Sequence, residues 1–184
     1  MRSREKNWSK DLVKNTKYLT LVAVFTSISL VLYYIEMLLP GLDFVAPGVK
    51  LGLANIIVLS LLIVYGFKTA FIVFMLRVTL SSFFAAGLST WLYSFAGGLL
   101  SLLIMYVLTK PKKLSFSVIG ISVAGSFAFN IGQLFTASVT LGSFKIFYYL
   151  PAITVLSLAT GVFIGVVSGF LVLRGKSFLN KDMI

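Results

Sequence analysis

The sequence predicts an all-α polytopic membrane protein with six transmembrane helices, and three observations support this fold class. Hydrophobic residues make up 59% of the 184 residues and charged residues only 11%. The mean hydropathy of +1.02 lies well above that of soluble domains. The apolar residues form long continuous runs without the period-two alternation of barrel strands, and the lipid offers their backbone no hydrogen-bond partner. These runs are therefore expected to be helices.

The chain begins with a basic segment, residues 1–17, which we expect in the cytoplasm. The first apolar run, residues 18–39, follows it and ends at Pro40-Gly41. This run is too long for the core of a signal peptide and lacks a cleavage site of small residues. It is therefore predicted to remain as the first helix.

Five further apolar runs complete a predicted six-helix transmembrane domain, residues 18–173. The second and third runs are short for full spans, and Gly66-Phe67-Lys68 separates them. A basic cytoplasmic tail, residues 174–184, is expected to close the chain. The five runs are residues 51–65, 69–84, 89–109, 114–141 and 150–173.

The distribution of cations predicts that both termini are cytoplasmic. With six spans and the N-terminus inside, thirteen of the sixteen Lys and Arg residues lie on the cytoplasmic side, and only Lys50 and Lys145 lie outside. An odd number of spans would move the basic tail across the membrane. Since the cations flank the spans, the net charge of +11 indicates topology in a lipid bilayer and no nucleic-acid partner.

The sequence contains few of the residue types that usually carry out catalysis. The chain has no Cys and no His, and only five Asp and Glu residues, so thiolate nucleophiles, imidazole bases and the usual zinc ligands are missing. The sequence also lacks the phosphate loop Gly-x-x-x-x-Gly-Lys-Ser/Thr. We therefore expect a protein that is not an enzyme and that holds no metal or cofactor.

Polar residues inside apolar runs are costly, so each one is a candidate for solute binding. Arg77 lies nine residues after Lys68, which places it ~14 Å from the cytoplasmic surface, near the middle of a ~30 Å core. The other candidates fall in the predicted outer half. The full predicted set of substrate-binding residues is Glu36, Lys50, Asn55, Arg77, Asn130 and Gln133.

Each candidate also has a structural alternative. Arg77 would instead bond a helix carbonyl or a buried acid such as Glu36, Lys50 would be an interfacial anchor, and the pair Asn130 and Gln133 would only join helices. If the residues converge, the two cations favour an anionic ligand, Glu36 partly neutralises them, and the amides supply oriented hydrogen bonds.

Small residues recur at four-residue spacing, which lets helix backbones approach closely. The stripes are residues 23 and 27, residues 124, 128 and 132, and residues 161, 165 and 169. Each stripe either packs within the chain or receives a partner's helix. Ala23 and Ser27 on the first helix are the candidates for partner docking.

Several strings together resemble the Gx transporter family, also labelled heptaprenyl diphosphate synthase component I. They are Pro-Gly-Val-Lys-Leu-Gly-Leu-Ala-Asn at 47–55, Leu-Arg at 76–77, Ser-Phe-Ala-Gly-Gly-Leu-Leu-Ser at 94–101, Asn-Ile-Gly-Gln at 130–133 and Tyr-Leu-Pro at 149–151. The resemblance covers about residues 18–173. Phe129 departs from it, since the family is expected to carry His at this position.

The resemblance implies an S-component-like bundle, similar to the substrate-binding subunits of energy-coupling-factor importers. Such a subunit captures a small vitamin- or isoprenoid-related solute from outside. It docks on a transmembrane coupling protein, here through Ala23 and Ser27, and two cytoplasmic ATPases supply the energy. The family's second label implies an alternative, a non-catalytic membrane accessory of a prenyl diphosphate synthase.

Overall fold

The computed structural model describes residues 2–38, 50–84, 87–110 and 116–181. Every regular element in these ranges is helical, which confirms the all-α prediction. The predicted end of the first apolar run at Pro40-Gly41, residues 47–49 of the family string and the cations Lys112 and Lys113 lie outside the described residues. The elements are α1 (Arg2–Leu38), α2 (Asn55–Tyr65), α3 (Phe67–Phe84), α4 (Gly87–Thr109), α5 (Val118–Leu141), a 3-10 helix (Phe144–Tyr149) and α6 (Leu150–Lys181).

Four stretches of the described chain are long and apolar enough to cross a membrane: residues 15–38, 91–109, 118–141 and 144–175. Helix α2 has 11 residues and rises only ~16 Å, about half of a ~30 Å hydrocarbon core. Helix α3 has 18 residues, two of which are the cations Lys68 and Arg77. A helical membrane protein is therefore confirmed, whereas six full spans stay a prediction.

Helices α2 and α5 begin later than predicted, whereas α3 and α4 each begin two residues earlier, at Phe67 and Gly87. Helix α2 begins at Asn55 rather than at residue 51, because Gly52 has φ +78° and Leu53 and Ala54 form a turn. Helix α5 begins at Val118 rather than at residue 114, because the Ser117 side chain accepts a hydrogen bond from the backbone N–H of Gly120 and caps the first turn.

The basic ends of the chain continue the first and the last helix, α1 and α6. Helix α1 includes residues 2–17, whose Lys, Arg and Glu content favours helix, and α6 runs on to Lys181. The 3-10 helix ahead of α6 was not predicted. It follows Gly142, which ends α5 in the left-handed conformation at φ +61°.

Helix α2 lies in the interior of the bundle. Eight of its 11 residues, 55–62, are buried. On its α6 side, the Ser168 hydroxyl donates a hydrogen bond to the carbonyl of Ile56 at 3.2 Å. The N-terminus of α2 is thereby held inside the protein, and the segment before it, residues 50–54, is held there too.

Glycines set the close packing of α4, α5 and α6. A Cβ at Gly132 would lie 2.8 Å from the Ala96 carbonyl oxygen and 2.8 Å from Gly97 Cα. Cβ atoms at Gly161 and Gly165 would lie 2.6 Å from backbone Cα atoms of α5. The second and third stripes therefore pack within the chain at these positions, whereas a Cβ at Gly169 would meet nothing within 4 Å.

We expect Gly132→Ala to lower the thermal midpoint of the purified protein, because the new Cβ meets backbone atoms that cannot rotate away. Overpacking of this kind costs about 1–3 kcal/mol, which outweighs the ~1 kcal/mol gain in helix propensity. Gly169→Ala is the matched control and should leave the midpoint unchanged or raise it. Equal midpoints for the two variants would contradict the close crossing of α4 and α5.

Candidate solute site

The site is built around residues 50–54, the segment that enters α2. The Glu36 carboxylate of α1 accepts hydrogen bonds from the backbone N–H groups of Gly52 at 2.7 Å and Leu53 at 3.1 Å. Gly52 has a positive φ, and a Cβ there would lie 2.9 Å from Asn55 Nδ2 and 3.3 Å from the Phe129 ring. Glycine is therefore required at this turn, and Glu36 holds the turn against α1.

Lys50 connects this segment to three helices. Its backbone N–H donates to Gln133 Oε1 of α5 at 3.1 Å. Its ammonium donates to Tyr33 Oη of α1 at 3.0 Å and to Ser94 Oγ of α4 at 3.3 Å. The ammonium also lies 4.5 Å from the centre of the Tyr33 ring, a cation–π distance. Lys50 thus joins α1, α4 and α5 through hydrogen bonds inside the protein, which differs from the predicted alternative of an interfacial anchor.

Lys50 lies in the connection ahead of α2, outside the helices. Burial lowers the pKa of its ammonium to about 8, the Glu36 carboxylate opposes this change, and the Arg77 guanidinium adds to it. The group therefore remains mostly protonated at neutral pH. It supplies one positive charge to the site.

Arg77 on α3 is a buried cation with unused donors. Its side chain is 3% exposed, and in the described part of the chain no acceptor meets Nε or Nη2. The guanidinium carbon lies 5.8 Å from the centre of the Phe74 ring. Glu36 is close enough to act on it electrostatically, but the hydrogen bonds of that carboxylate go to Gly52 and Leu53. Neither structural alternative for Arg77 satisfies these two donors.

The amides are also incompletely paired. Asn55 Nδ2 and Gln133 Nε2 have no partner among the described residues, although both side chains are at least 97% buried. Every unpaired buried side-chain nitrogen of the described chain belongs to Asn55, Arg77 or Gln133. Buried amide and guanidinium groups are normally hydrogen-bonded, so these three residues remain candidates for contact with a solute.

Asn130 lies on the α6 side of this cluster. Its Nδ2 donates to Ser157 Oγ of α6 at 2.7 Å, and its Oδ1 has no partner in the described chain. The predicted alternative, a hydrogen bond between helices, therefore accounts for the amide nitrogen of Asn130 but not for its oxygen. Hydrogen bonds and the packing of Gly52 bring Glu36, Lys50, Asn55 and Gln133 together around residues 50–54. Arg77 is close enough to act electrostatically on Glu36 and Lys50, whereas Asn130 bonds Ser157 of α6.

Four residues near the site were not predicted as part of it: Tyr33, Ser94, Phe129 and Ser157. Tyr33 lies three residues before Glu36, and this spacing places both on one face of α1. Ser94 begins one of the family strings. Phe129, where His was expected, packs its ring against Gly52 and Gly97 and is 2% exposed.

The predicted docking residues lie elsewhere. Ala23 and Ser27 are both exposed on α1, and the Ser27 hydroxyl donates to the Ala23 carbonyl at 3.0 Å. Their neighbours Val24 and Ile28 are exposed as well, so this face of α1 is apolar. None of the described helices covers it.

Comparison with known proteins identifies one family. The model of the family described as heptaprenyl diphosphate synthase component I matches residues 25–171, which include all six predicted solute-binding residues. No curated protein and no solved structure gives a significant match. Since the match covers most of the chain, the protein belongs to the heptaprenyl diphosphate synthase component I family.

Proposed function

We propose that this protein is the non-catalytic, substrate-binding membrane subunit of an energy-coupling-factor importer, which captures a small anionic solute from the extracellular side. The observation that carries the proposal is the group of unpaired buried donors on Asn55, Arg77 and Gln133. Each unpaired buried polar group costs about 1–3 kcal/mol, and a charged group costs more. A bound anion that accepts these hydrogen bonds offsets that cost.

In the proposed topology the chain crosses the membrane six times, with both termini in the cytoplasm. Residues 51–65, which include α2, form the second crossing, and α3 forms the third. The site then lies in the outer half, because Glu36 is near the end of α1 that is opposite to the N-terminus. The positive-inside distribution of Lys and Arg supports this orientation.

The proposed partners are a transmembrane coupling protein and two cytoplasmic ATPases. The exposed face of α1 around Ala23 and Ser27 supports a dock for the coupling protein, because small side chains let a second helix approach closely. The ATPases account for energy use by a chain that has no phosphate loop of its own.

We expect the double variant Ala23→Leu, Ser27→Leu to abolish recovery of the complex while the isolated subunit still binds its solute. Two leucines would hold the partner backbone away, whereas the exposed positions leave the fold of the subunit unchanged. Affinity purification from native membranes measures complex recovery, and mass spectrometry of the bound solute on the same preparation measures binding. Leucine at the exposed neighbouring position, Val24→Leu, is the control.

Normal complex recovery from the double variant would remove the docking surface from the proposal. Loss of expression and solute together would show that the patch supports the fold instead. Wild-type protein should recover a membrane protein and ATPases. Recovery of neither would count against the importer itself.

The family description favours a second candidate, a membrane accessory of a prenyl diphosphate synthase. In that case the purified chain should recover a soluble synthase, with the cytoplasmic basic residues as its dock. This function gives no role to the unpaired donors of Asn55, Arg77 and Gln133, which is why we place it second. The same affinity purification separates the two candidates by the class of protein recovered.

A further inference from the structure

We propose that the solute is a singly charged carboxylate bound side-on by the Nε–Nη2 edge of Arg77. This inference rests on the proposed function and names the chemical class that the site takes. Three features support it: the unpaired donors of Arg77, the net charge of the site, and the hydrogen bonds that the Glu36 carboxylate accepts.

The free donors of Arg77 lie on one edge of its guanidinium. The N–H of Nε and one N–H of Nη2 point in the same direction, and their spacing matches the two oxygens of a carboxylate or a phosphate. These two atoms have no partner among the described residues, while the residue as a whole is 3% exposed. Water from bulk solvent therefore has little access, and a bidentate oxyanion would satisfy both donors at once.

The charge of the site selects among oxyanions. Lys50 and Arg77 are cations, and the two backbone hydrogen bonds to Glu36 favour its ionised form against the opposing effect of burial. With Glu36 ionised, the sum is a single positive charge, which a carboxylate neutralises. A phosphate monoester or a diphosphate would leave excess negative charge in a low-dielectric interior, which is costly.

Magnesium is the usual way to offset the charge of a diphosphate, and it takes oxygen ligands, often carboxylates. In the described ranges, no group of three or more His, Cys, Asp or Glu side chains lies together. Both oxygens of Glu36 already accept a backbone hydrogen bond, and a single carboxylate is a poor site for a magnesium ion. The residues of the site therefore fit a carboxylate better than a diphosphate.

The amide groups extend the site beyond the guanidinium. A Cβ at Gly52 would touch both Asn55 and Phe129, and a Cβ at Gly97 would touch both Phe129 and Gln133, so the two amides lie around the Phe129 ring. Their free N–H groups suit a second acceptor on the solute, such as a carbonyl or hydroxyl oxygen. The ring provides an apolar wall for the carbon atoms between the two polar groups.

The test uses the full chain in lipid nanodiscs with four groups of probes: the monocarboxylates acetate, butyrate and benzoate; phenyl phosphate; inorganic diphosphate; and neutral benzyl alcohol. Thermal midpoints report binding, and ¹⁵N-labelled arginine reports the Nε–H of Arg77 directly. The chain has only four arginines, so Arg77→Lys assigns this signal. We expect a monocarboxylate to raise the midpoint and to shift the Arg77 Nε–H resonance, and we expect the other probes to do neither.

Arg77→Lys keeps the charge but loses the paired donors, and should weaken monocarboxylate binding at least tenfold. Lys145→Gln removes an exposed cation outside the site and should leave binding unchanged. The inference is overturned if Arg77→Lys binds as wild type, if phosphate or diphosphate probes bind as tightly, or if no monocarboxylate moves the Arg77 signal. A co-purified solute without a carboxylate would overturn it too, while the capture function would stand. If no solute co-purifies and no probe binds, both fail.

Discussion

The variant Arg77→Met is expected to lose solute binding by about 100-fold or more while its thermal midpoint stays equal to or above that of the wild type. Two hydrogen bonds to a charged group contribute about 3 kcal/mol, and each 1.4 kcal/mol is a tenfold change in affinity. In the unbound protein the same guanidinium is buried with two free donors, so a methionine of similar length removes a cost of roughly 1–4 kcal/mol. Binding and thermal unfolding are measured on one nanodisc preparation.

The opposite signs of the two effects make this variant informative. Lys68→Met, on the same helix but exposed, is the control for loss of a cation and should change neither quantity. A strongly lowered midpoint for Arg77→Met would mean that Arg77 is a structural residue with partners in the folded chain. Unchanged binding would remove Arg77 from the site.

The variant Glu36→Ala is expected to release residues 50–54 and to abolish solute binding together with several degrees of thermal stability. The carboxylate accepts two buried backbone hydrogen bonds, and deleting a buried charged acceptor leaves both N–H groups unpaired at a cost of about 3 kcal/mol. Asn55 follows directly on this segment, so its side chain would lose its position as well. Thermal unfolding and solute binding give the two magnitudes.

Exposure of the released segment can be measured by thiol labelling, because the chain contains no cysteine. A single cysteine at Leu53 should react slowly with a maleimide in the wild type and at least tenfold faster with Glu36→Ala. A cysteine at exposed Lys145 is the control and should react equally in both backgrounds. Glu36→Gln keeps one acceptor and should fall between them. Equal labelling of Leu53→Cys in all three backgrounds would contradict the role of Glu36.

The sequence predicts the polar residues of the candidate site because charged and amide groups are conspicuous in apolar runs. Hydroxyl residues do not stand out in this way. Ser60 and Thr154 bond carbonyls of their own helices, at Ile56 and Leu150, and nothing in their local sequence separates them from Tyr33 or Ser94. Only the folded chain shows that Tyr33 and Ser94 accept from Lys50.

Long-range contacts also set the details that the sequence left open. The late start of α2 depends on Gly52 being held by Glu36, sixteen residues away, and local propensity contains no information about that pairing. The partner of Asn130 is Ser157 on the next helix, so spacing placed Asn130 beside Gln133 but could not tell which group it bonds. The composition and the lengths of the apolar runs indicate that the elements are helices and in which order they occur. Both properties were therefore predictable.

Native mass spectrometry of the purified wild-type chain and of Arg77→Met, prepared in parallel from the same cells, tests whether Arg77 holds a captured solute. We expect a small anionic molecule bound to the wild type in a one-to-one complex and missing from Arg77→Met, with both chains folded. A wild-type chain that carries no solute, or an equal amount of the same solute on folded Arg77→Met, would contradict it.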